Sequence, residues 1–79
     1  MVSLTVNDNG RHYIGTTWED LLTHLHKDQL VPERNDMAYM RAVARRVKMW
    51  NKVLVRTDTA ENFLRDLAAQ GLVHLNPIL

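Results

Sequence analysis

Between Ser3 and Gly15 the chain reads as two short strand-like runs around the turn sequence Asn7-Asp8-Asn9-Gly10. Leu4 and Val6 alternate with Ser3 and Thr5, the period of two that a half-buried strand needs. Arg11 to Gly15 returns as the second strand. Asn9 and Gly10 both tolerate positive φ, which a type I′ hairpin turn requires. A hairpin has a face to bury, so the later elements of the chain must cover it.

The remaining segments are short and sharply punctuated. Thr16-Thr17-Trp18-Glu19 reads as a capping box, with Thr16 and Glu19 as reciprocal partners. The helix it opens carries Trp18, Leu21, Leu22 and Leu25 on one face and ends near Asp28. Pro32 in Leu30-Val31-Pro32 holds Val31 extended. A second helix starts with Asn35 or Asp36 as N-cap. Its apolar face is Met37, Met40, Val43, Ala44, Val47 and Trp50, and Asn51 suits a left-handed terminator. Lys52 to Arg56, β-branched at Val53 and Val55, predicts a third strand. Thr57-Asp58-Thr59 caps a third helix with Ala60, Phe63, Leu64 and Leu67 inward and a Glu61/Arg65 pair outside. Gly71 fits a Schellman stop with Leu72 touching Leu67. Val73 to Leu75 forms an optional fourth strand, broken at Asn76-Pro77, after which the end frays.

The order is therefore β-β-α-α-β-α-(β). It describes one α+β domain over residues 1–79: a small, mainly antiparallel sheet with about three helices packed on it. The predicted core is Leu4, Val6, Trp18, Leu21, Leu25, Met40, Val43, Val47, Trp50, Val53, Val55, Phe63, Leu64 and Leu67. There are no repeats and no linker. No apolar run is long enough to span a membrane. With no cysteine in 79 residues, disulfides, thiolate metal sites and a cysteine nucleophile are excluded. The composition fits a reducing, cytoplasmic setting.

Charge is the feature that points to a partner. The chain is formally +1, yet Arg41, Arg45, Arg46, Lys48 and Lys52 stand in an acid-free run from Met37 to Lys52. The rest holds five cations against nine acids, a net of −4. On a helix at about 100° per residue, Arg41, Arg45, Lys48 and Lys52 fall within about 60°. Ala38, Ala42 and Met49 cluster within about 40°, opposite the core face. Tyr39 lies at the edge of the apolar face near Arg46, the one aromatic–cation pair suited to base stacking; as a structural residue it covers the core edge.

Catalytic chemistry is sparse. The hydroxyls of Thr16 and Thr59 and the acids Glu19, Asp58 and Glu61 are explained by capping and the helix dipole. The glycines sit singly, so there is no phosphate loop. His24 and His26 face apart on their helix, and His12 and His74 complete no metal-ligand spacing. The expectation is a protein without catalytic residues, metal, cofactor or small-molecule substrate.

Two segments carry resemblances. The hairpin and its Thr-capped helix resemble the start of a β-grasp domain over roughly the first 27 residues. The chain ends Pro77-Ile78-Leu79, not in the Gly-Gly of sulfur-carrier and ubiquitin-like modifiers, so no activity of that family is implied. Phe63-Leu64-Arg65-Asp66-Leu67 through Gly71-Leu72-Val73 resembles the end of a winged-helix recognition helix running into its wing. The strand-like Val53-Leu54-Val55 stands where that family has helices joined by a short turn. Size and style are similar to those of short phage and mobile-element proteins. The first expectation is a non-enzymatic protein-interaction module, an adaptor or inhibitor or a homodimer, with Ala38, Ala42 and Met49 at its interface. The alternative is nucleic-acid binding through Arg41, Arg45, Arg46, Lys48, Lys52 and Tyr39.

Overall fold

The computed structural model describes residues 1–7, 10–29 and 32–77. Three antiparallel strands form one sheet in the order β2-β1-β3, from β1 (Val2–Val6), β2 (His12–Gly15) and β3 (Val73–Pro77). Three helices complete an α+β fold: α1 (Trp18–Lys27), α2 (Asp36–Asn51) and α3 (Ala60–Ala69).

Alternation along β1 sets the two faces. Leu4 is fully buried under the helices. Ser3 points the other way and donates to the Asn76 carbonyl at 3.0 Å. The hairpin closes with the Val6 N–H on the Arg11 carbonyl and the Gly10 N–H on the Val6 carbonyl. The closing pair is therefore Val6 and Arg11, not the flanks of the two-residue type I′ turn expected at Asn9-Gly10; Gly10 does have a positive φ, 71°. Asp8 and Asn9, half of the expected turn, lie outside the described residues, as do Leu30 and Val31 of the proline joint and the terminal Ile78 and Leu79. Asn7 bonds to Leu72 and Gly71 and ties the hairpin to the joint after α3.

The first cap is displaced by one residue. Thr17, not Thr16, is the N-cap and accepts from the Asp20 N–H at 3.0 Å. Asp20 rather than Glu19 reaches back, taking the Thr16 N–H at 3.0 Å. Two adjacent threonines offer the same chemistry, and the register follows from the packing of Leu21 on Gly15. A Cβ on Gly15 would come within 2.5 Å of the Leu21 nitrogen. Asn35 and Thr59 cap α2 and α3 as expected, accepting from Ala38 and Asn62. Helix α3 ends in a complete Schellman motif: Gly71 at φ 74°, its N–H on the Ala68 carbonyl and the Leu72 N–H on the Leu67 carbonyl.

Lys52 to Arg56 does not join the sheet. The Arg56 N–H is held by the Asp66 carboxylate at 2.8 Å, and its guanidinium grips the same group through Nε and Nη2. The backbone donor a ladder would use is therefore committed to α3, while Val55 alone of this stretch is buried. The third strand is β3, which pairs with β1 from Val2↔Pro77 to Val6↔Val73. Because β3 pairs with β1, α3 does not lead into a wing.

The core gathers Leu4, Leu21, Leu22, Leu25, Tyr39, Met40, Val47, Val55, Ala60, Phe63, Leu64, Leu67 and Val73. Val6, Trp18 and Val43 pack at its margin, and Val53 is half-buried. Trp50 departs from the expected core: it is 74% exposed and lies outside the core cluster. Met37 is likewise exposed. Tyr39 goes the other way and is buried, stacked on His26 with centroids 4.9 Å apart and edge-on to Phe63.

Candidate functional site

Helix α2 is the outer element of the molecule. Its 16 residues make a rod of about 24 Å. It packs chiefly on α1, with Tyr39, Met40 and Val47 as its buried residues. A polar joint fixes its start. Asp36 accepts from the Thr23 hydroxyl at 2.7 Å and contacts the His26 Nδ1 at 2.8 Å. Burial raises the Asp36 pKa, but those hydrogen bonds and nearby cations outweigh it and hold the carboxyl below its usual range. The His26 Nε2 is buried and has no partner among the described residues.

The outward face of α2 carries the charge. Arg41, Arg45, Arg46 and Lys48 are all exposed, as is Lys52. None of the five has an acid partner among the described residues. Elsewhere the pattern is reversed. Arg11 pairs with Asp28, Arg56 with Asp66 and Arg65 with Glu61. Asp20 and Asp58 serve caps. The acids are thus largely engaged in caps and ion pairs away from the outer face of α2, while the cations of α2 face solvent.

The expected residues are only partly brought together. Arg41, Arg45 and Lys48 do form one exposed strip. Lys52 leaves it: this residue, not Asn51, is the left-handed C-cap, at φ 61°. Tyr39 is buried, so it presents no face to a base; its hydroxyl pKa is raised, first by that burial. Ala38 and Ala42 are half-buried, and Met49 is 70% exposed.

Two residues join the face that the helical spacing did not place there. Trp50 lines a small depression with Val43, Arg46, Val47 and Leu72. Leu54, 77% exposed, lies in a shallow groove with Arg41, Ala44 and Arg45. The one signal for Trp50 in the sequence is its position: it is the last apolar residue before Asn51-Lys52, at the free end of its helix.

Other sites are weaker. An open polar depression holds Arg11, Tyr13, His24 and Asp28. There both Arg11 and the Tyr13 hydroxyl already donate to Asp28, and these bonds, Tyr13 first, keep the Asp28 pKa low. Among the described residues no group of three or more histidines and acids is placed to hold a metal, and no helix is long and apolar enough to cross a membrane. Comparison with known protein families, characterised proteins and solved structures gives no match to this chain.

Proposed function

We propose that the chain is a non-enzymatic binding module that engages nucleic acid through the outer face of α2. One observation carries this reading: five exposed cations concentrated at one helix, none with an acid partner among the described residues. Exposed cations scattered over a surface are ordinary. Cations kept apart from nine acids in a chain this small form a local positive field that attracts a polyanion. The net −4 of the remaining residues confines that attraction to α2.

A second reading, capture of a protein partner, draws support from Met49, Trp50 and Leu54, all at least 70% exposed. Arg, Trp and Met are the types that anchor protein interfaces. Such a partner would have to be acidic. A twofold dimer through α2 would set Arg41, Arg45 and Arg46 of two copies against each other.

The test is charge reversal. Arg41→Glu with Arg45→Glu should abolish binding to generic DNA or RNA in a gel shift, and the circular dichroism spectrum should match the parent. If the parent itself shows no salt-sensitive shift at micromolar protein, the protein reading stands. Ala42→Arg should then disrupt partner capture.

A further inference from the structure

Resting on the nucleic-acid reading, we infer that the occupant of this face is B-form duplex DNA, with α2 lying in the major groove. The argument is one of shape. Around the helix at about 100° per residue, Arg41 and Lys48 stand about 140–160° from Arg46. Between these flanks lie Ala38, Ala42 and Met49, with Arg45 beside them. A helix with its side chains is about 10–12 Å across, and the B-form major groove is about 12 Å wide. Cations on both flanks therefore meet phosphates on both walls. The small side chains of Ala38 and Ala42, opposite the core face and partly exposed, let the backbone sink towards the base edges. Arg45 is the residue placed to reach guanine, whose O6 and N7 suit a guanidinium.

The other forms of nucleic acid fit less well. The major groove of duplex RNA is deep and too narrow to admit a helix. A single strand tracks a concave basic groove and stacks on aromatics set among the cations. The shallow groove beside Arg41 and Arg45 is lined by no aromatic, Tyr39 is buried, and Trp50 alone stands at the helix end.

Fluorescence anisotropy tests this with three labelled probes of one sequence: duplex DNA of about 20 base pairs, two helical turns, the same duplex in RNA, and single-stranded DNA. Duplex DNA should bind at least about tenfold tighter than either other probe. Its log–log salt slope should be about −3, for three phosphate-facing cations, Arg41, Arg46 and Lys48. Ala42→Leu should weaken duplex DNA at least about tenfold while leaving single-strand binding and the thermal melt unchanged. Arg46→Ala, on an exposed position, should lower the salt slope by about 1. Equal affinity for the three probes, or indifference to Ala42→Leu, overturns groove docking and leaves the nucleic-acid reading standing. No salt-dependent binding to any probe overturns both and turns attention to an acidic protein.

Discussion

Phe63 and Trp50 are both large aromatics on apolar helix positions, yet their surroundings differ completely. Phe63 is 0% exposed between Tyr39 and the leucines of the core, while Trp50 is 74% exposed. Phe63→Ala should cost roughly 3–5 kcal/mol by leaving a cavity. Trp50→Ala should change stability by no more than about 0.5 kcal/mol. Urea denaturation of the two variants checks the contrast; a Trp50→Ala cost matching that of Phe63→Ala would place the end of α2 back on the core. The threonine pair gives a finer test. Thr17→Ala removes the oxygen that accepts from Asp20 and should cost about 1 kcal/mol. Thr16→Ala loses only a 3.3 Å contact to Asp20 and should cost clearly less. Equal midpoint shifts for both would return the cap to Thr16.

At the scale of elements, most signals that act within a few residues were legible in the sequence, although adjacent candidates such as Thr16/Thr17 and Asn51/Lys52 were not separated. Asn35, Thr59 and Gly71 each decide a helix end through their own chemistry, and each does so in the structure. Gly71→Val should be destabilising by about 1–2 kcal/mol, because a β-branched side chain resists φ 74°. No atom stands within 4 Å of the added Cβ, so the cost is backbone strain and Gly71→Asn should restore much of it. A neutral Gly71→Val melt would contradict the motif. Signals that depend on distant partners were not legible. Val53 and Val55 have a strand's spacing, but whether they pair depends on Asp66, which takes the Arg56 N–H from another helix. The basic strip on α2 could be read from charge alone, whereas its freedom from acid partners among the described residues, the burial of Tyr39 and the exposure of Trp50 depend on where the other elements lie.

For the whole molecule, the acids set the response to pH. Asp20, Asp28, Asp36, Asp58 and Asp66 all titrate below the usual aspartate value of 3.8. For Asp66 the hydrogen bonds from the Arg56 side chain are the main cause; for Asp20 it is the Thr16 N–H. A carboxyl depressed in the folded state stabilises above its unfolded pKa, and that stability is lost as pH falls through the folded value. The melting temperature should therefore hold on this account down to about pH 4 and fall below it. Asp66→Asn should make that fall shallower. An unchanged melt between pH 6 and pH 2.5 would refute these carboxylate bonds.

The central strand β1 has one neighbour close by in the chain and one at the far end: Thr5 faces His12 on one side and His74 on the other. Closing a loop ten times longer costs about 2 kcal/mol more in chain entropy. The hairpin can form early, but the sheet waits for the last strand. On the ribosome, a chain still short of Val73 holds β1 with one edge open and Leu4 without its full cover, the state in which strands recruit wrong partners. The sheet is thus complete only once β3 has joined β1, and a chain truncated before Val73 should aggregate rather than merely melt earlier.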